Sequence, residues 1–196
     1  MRIPALTTTF ALALAIAACG GNKTDEAANN LSSEVNLTDD AMANDALGAN
    51  AAAPATALPS DAAGFAKAVA ASDMFELESA KLALAKSPSA DVKSIAQMLQ
   101  REHSKSTADL KAAAGADAVT PALDADKQAL LDQLKPLTGV AFERAFLIQQ
   151  RTAHQKALAV LQNYGQSGDN PALKDFAGTA QHVVEGHIDA LNQIAK

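Results

Sequence analysis

The chain has no tryptophan, one tyrosine (Tyr164) and one cysteine (Cys19). A single cysteine excludes an internal disulfide and any Cys-x-x-Cys redox or zinc motif. Scarce aromatics, with no basic patch among them, exclude the usual nucleic-acid surfaces. No Gly-rich phosphate loop, His-Glu-x-x-His or Gly-x-Ser-x-Gly pattern occurs, so no reaction is read from a catalytic motif. No stretch alternates as a strand does, while helical periodicity runs through residues 61–196. The fold class is therefore all-α.

What is present divides into three parts. Residues 1–18 read as a lipoprotein signal peptide: Arg2 gives a short positive start, and Ala5 to Ile16 form an apolar run too short to span a bilayer. Ile16-Ala17-Ala18-Cys19-Gly20 resembles a lipobox, which implies cleavage before Cys19 and its acylation. Acyl chains there would make a membrane the partner, with the protein facing the periplasm. Gly20 rather than Asp after the cysteine resembles an outer-membrane address. Residues 19–60 form the lipidated cysteine and a tether with no aromatics. From Gly20 to Ser60, Lys23 is the only base against six acids, for a net −5. Such a segment buries too little apolar area to offset its ordering entropy, and disorder is expected. Residues 61–196 hold the remaining 14 Lys and Arg against 16 Asp and Glu, nearly balanced, in one domain of ordinary size.

Within that domain the pattern predicts an antiparallel four-helix bundle, in up-down-up-down order, with a short extra helix between the second and third long ones. The first helix spans about Asp61 to Lys86. Ser87 is expected to cap the second, with Pro88 at its first position and Gly115 at its end. Asp124 caps a short helix over Ala125 to Lys135. Thr138-Gly139 starts a long helix to about Tyr164, broken by Gly165 and Gly168, and Asn170-Pro171 starts the last.

Each long helix carries one ionisable residue on its apolar stripe: Glu76, His103, His154 and His187. Burying such groups unpaired costs several kcal/mol. Each lies slightly past the middle of its own helix, so in a bundle the four share a plane to within roughly 3–6 Å of helix rise. Three imidazoles and a carboxylate suit one Zn, Fe, Cu or Ni ion. The di-iron Glu-x-x-His motif is absent, since Gln100, Arg151 and Val184 stand three residues before the histidines. The bland reading is a hydrogen-bonded Glu-His core network that fixes helix register. Acid-base catalysis by the same cluster is a third. Glu102, Glu143 and Gln150 are expected around the four. His182 and Glu78 fall off the stripes, and Tyr164 reads as a helix-end packing residue.

The segments FAKAVAASDMFELESAKLALAK (65–86), VKSIAQMLQREH (92–103), LTGVAFERAFLIQQRTAH (137–154) and Leu173 to His187 are similar to the DUF4142 family. The family pattern carries a Glu after a Ser-x-Met segment, matched by Glu76. It carries an acid-His pair, here Glu102-His103 where Asp is usual. It carries Phe-Asp followed by an aromatic, here Phe142-Glu143 and Phe146 where Asp and Tyr are usual, and later histidines matched by His154 and His187. The resemblance implies an exported bacterial protein with a ferritin-like helical bundle and no settled biochemical function. With Phe146 in place of Tyr, any chemistry needing that hydroxyl is in doubt.

Overall fold

A computed structural model describes residues 57–115 and 118–194. The signal peptide, Cys19 and all of the tether before residue 57 lie outside the described residues. These are all-helical, with no strand among them: α1 (Ala62–Lys86), α2 (Ala90–Ala114), α3 (Ala125–Leu134), α4 (Gly139–Ser167) and α5 (Pro171–Ile194). None of these helices is long and apolar enough to cross a membrane.

The helix starts follow from side chains that accept otherwise orphaned N–H groups. Asp61 caps α1 by accepting from the Gly64 amide at 2.8 Å, and Asp124 caps α3 by accepting from Lys127 at 2.8 Å. Asn170 accepts from the Ala172 and Leu173 amides, with Pro171 opening α5 where no N–H is needed. Two expected boundaries move. The cap of α2 is Ser89, not Ser87, and its hydroxyl accepts from the Val92 amide at 3.3 Å. The Ser87 amide instead closes α1 on the Ala83 carbonyl, so Pro88 stands in the link rather than in the helix. Nor does Gly165 break α4, which runs on to Ser167. One helical glycine costs only about 1 kcal/mol, and the buried Tyr164 beside it holds the turn.

Tyr164 stacks on Phe65 at 3.9 Å, and its hydroxyl donates to Asp169 at 2.8 Å. Gly168 lies under the same ring, where an added Cβ would come within 2.5 Å of Cε1. The ring has no room to retreat. Gly168→Ala is therefore expected to destabilise by about 1–3 kcal/mol through overpacking. An unchanged urea midpoint would count against this packing.

The long helices pack in a ring: α1 lies against α2 and α4, and α5 against α4 and α2, while α3 covers α1 and α4. Which ends meet is fixed by two apolar clusters. One joins the first half of α1 (Phe65, Val69), the last turns of α2 and α4 (Leu110, Leu161) and the first half of α5 (Leu173, Phe176). The other joins the end of α1 (Ala80, Ala83), the starts of α2 and α4 (Leu99, Phe142, Phe146) and the end of α5 (Leu191). Consistently, Lys86 at the end of α1 donates to the Leu137 carbonyl before α4 at 3.2 Å, and Asn163 near the end of α4 donates to Pro59 before α1. So α4 runs in the same direction as α2, which corrects the up-down-up-down order. The link over residues 115–138, which includes α3, is long enough to carry the chain from one end to the other.

Candidate metal centre

On every long helix buried polar residues stand between the two apolar clusters. They are Asp73, Glu76 and Ser79 on α1, His103 on α2, Gln150 and His154 on α4, and His187 on α5. A polar layer thus crosses the interior between two dry ends. Because it sits at a similar height on each helix, the four stripe residues named from the sequence converge.

Glu76, wholly buried, is at the centre. Its Oε2 lies 2.8 Å from His103 Nε2 and 3.1 Å from His154 Nε2. His154 Nε2 is in turn 3.2 Å from His187 Nδ1. One nitrogen from each of the three imidazoles lies within 4.8 Å of the others. The other nitrogen of each ring is engaged by an acceptor. His103 Nδ1 donates to Asp73 Oδ1 at 2.8 Å, and Asp73 Oδ2 accepts from Thr107 at 3.1 Å. His154 Nδ1 donates to the Gln150 carbonyl at 2.8 Å, and His187 Nε2 to Glu102 Oε2 at 2.7 Å. Those acceptors assign the protons to the outer nitrogens. In their neutral forms all three rings therefore present a bare lone pair inward.

The electrostatics show what the cluster does with this arrangement. Burial on its own would raise the Glu76 pKa, but the charge of His103, with His154 and His187 behind it, holds the carboxyl down at about 2. Burial would lower His103, yet the Glu76 charge 2.8 Å away and the Asp73 hydrogen bond push it up to about 10. His154 and His187 go the other way: burial lowers both, and the nearby His103 cation adds to it. At neutral pH the layer then holds one imidazolium, clamped between Asp73 and Glu76, and two neutral rings. The close approach of His103 Nε2 to Glu76 Oε2 is Coulombic rather than an aligned hydrogen bond, since neither atom has a partner in good geometry.

Two inward lone pairs, on His154 and His187, face each other with no proton between them. Such a contact is unfavourable unless a cation or a shared proton joins it. Donor atoms around a tetrahedral ion with M–N near 2.0–2.1 Å stand roughly 3.3 Å apart. The 2.8, 3.1 and 3.2 Å contacts are somewhat shorter than that, and the three ring nitrogens all lie within 4.8 Å of one another, so small ring shifts would bring the set to that spacing. Outer nitrogens held by carboxylates or carbonyls are also what metal-ligating histidines show. The residues present thus fit a metal ion.

Of the surrounding residues named from the sequence, Glu102 and Gln150 touch the cluster. The Gln150 amide also donates to Ser79 at 2.8 Å, tying α4 to α1. Glu143 does not touch it. Its carboxylate accepts from the Ser87 hydroxyl and the Ser89 amide at the α1–α2 link. Eleven residues separate it from His154, about 16 Å of helix rise. His182 is exposed and pairs with Glu185, and Glu78 pairs with Lys81. Asp73 and Thr107 were not foreseen. Their signal was local: Asp73 lies one turn before Glu76, and Thr107 one turn after His103, each on the face of its ligand candidate.

A family model described as a domain of unknown function (DUF4142) matches residues 47–194, beginning before the first helix. No curated protein and no solved structure matches the chain.

Proposed function

The chain belongs to the DUF4142 family, and on that footing we propose that it is a lipid-anchored, periplasm-facing module that binds one transition-metal ion through Glu76, His103, His154 and His187. The observation that carries this reading is the committed outer N–H of all three histidines, which turns every inner nitrogen toward the others, with only His103 needing to release a proton before it ligates. Imidazole and carboxylate donors suit Zn, Fe, Cu or Ni. Asp73, Glu102 and the Gln150 carbonyl would hold the ring orientations. The ring of helices with one long connection, between α2 and α4, supports a ferritin-like antiparallel bundle. The sequence Ile16 to Gly20 supports attachment to the outer membrane through an acylated Cys19, which is the basis for a role in the envelope or its stress response.

A second reading is favoured by the Glu76–His103 ion pair, which is complete without a metal. In it the network only sets packing or a partner surface. Calorimetric titration of the metal-free protein separates the two. One Zn, Cu, Ni or anaerobic Fe(II) ion per chain is expected, and no binding in His103→Ala or His154→Ala proteins that keep their helical circular dichroism. If none of the four metals gives heat, the packing reading stands alone.

A further inference from the structure

A cavity of about 620 Å³ opens beside the polar layer. Val69, Phe75, Ile148, Leu161, Phe176 and Val184 supply much of its apolar wall. Its size lies in the range of small-molecule sites, roughly 300–1,000 Å³. The metal reading does not use this space, and its occupation requires no metal.

The buried polar groups on the wall are Asp73, His103, Gln149 and His187. Their N–H donors are largely committed inside the protein. His103 Nδ1 donates to Asp73 and His187 Nε2 to Glu102. The Gln149 amide nitrogen donates to the Leu130 carbonyl at 3.2 Å and to Gln133 at 3.3 Å, which fixes the orientation of the amide. Acceptor capacity is what remains. Gln149 Oε1 is buried with no donor among the described residues, and the Asp73 and Glu102 carboxylates border the same space. At the mouth, Lys105 and Lys127 are paired with Asp109 and Asp124. Lys156 is exposed there with no ion pair among the described residues.

We propose that this cavity binds a neutral, largely apolar small molecule whose polar end is a hydroxyl donor, of the phenol or alcohol class. The apolar wall favours the body through burial. The hydroxyl would satisfy a buried acceptor that is costly to leave unmade. An anionic head of the same shape would meet Asp73 and Glu102, with only Lys156 at the rim to offset them.

The test uses full-length, chelator-treated protein and the fluorescence of 2-naphthol, uncharged near neutral pH because phenols titrate around 10. Its partner probe is 2-naphthoate, the same ring system with a carboxylate. Saturable binding of one 2-naphthol per chain is expected, with 2-naphthoate weaker by roughly tenfold or more. Ala68→Phe on α1 and Ala157→Phe on α4 each fill the cavity from a different wall, and each should weaken 2-naphthol by a similar factor. Two positions are used so that one misfolded variant leaves the other to decide. The proposal is overturned by non-saturable binding, by 2-naphthoate binding as tightly or more tightly, or by a folded filled variant that binds like the parent.

Discussion

Glu76→Ala is expected to lower the unfolding free energy of the metal-free protein by about 3–5 kcal/mol, the usual penalty for removing one partner of a buried ion pair. Three effects combine at this position. His103 loses the charge that holds its proton, and the imidazolium stays buried against Asp73 alone. His154 loses its nearest opposite charge, and a wholly buried side chain leaves a void between two apolar clusters. Glu76→Gln keeps the volume and a hydrogen-bonding oxygen and loses only the charge. It should cost clearly less, about 1–2 kcal/mol. Urea unfolding of the two variants, stripped of metal, makes the comparison. Equal losses would mean that the void, not the charge, sets the cost, and the electrostatic account of the layer would have to be abandoned.

The second large effect is on pH. The folded His103 value of about 10 lies above the ordinary 6.5. Its stabilisation is therefore fully present below pH 6.5 and is lost as pH rises through 10. Glu76, depressed from 4.5 to about 2, contributes stability above pH 4.5 that is lost as pH falls through 2. His154 and His187, both lowered, stay neutral in the fold while the unfolded chain takes up protons below 6.5, so they too weaken the fold on the acid side. The metal-free protein should be most stable near pH 6.5 and lose stability on the alkaline side, by on the order of several kcal/mol by pH 10. His103→Gln should remove that alkaline limb. A melting temperature flat between pH 6.5 and 10 in the parent would sink the clamped-imidazolium account. The same proton bears on the metal reading. His103 must be neutral to act as a ligand, so binding near neutral pH should release about one proton per ion. Calorimetry in buffers of different ionisation enthalpy reads that number directly.

Much of this is legible in the amino-acid sequence. The caps at Asp61, Asp124 and Asn170 mark helix starts because the orphaned N–H groups of a first turn need an acceptor, and that need is local. The stripe placing Glu76, His103, His154 and His187 inward is equally local, since it follows from 3.6 residues per turn. Ser87 misled because two cap-competent serines flank Pro88, and only the Ser87–Glu143 contact across helices selects between them. Asp73 shares the face of Val69 and Glu76, but an aspartate one turn from a stripe residue is as often solvated as buried. It is buried only because α2 comes close enough for His103 and Thr107 to cover it.

The sequence by itself determined that the domain is helical, where most of its helices begin, and that four ionisable residues face inward. Those properties depend on backbone hydrogen bonding and periodicity within a single segment. Tertiary structure alone decided that α4 runs with α2, that the four side chains meet, and that each ring has an acceptor on its outer nitrogen. Directions and distances of that kind depend on which helix faces which. A 24-residue link can return the chain to either end, and only the two apolar clusters, by pairing the end of α4 with the start of α1, choose between them.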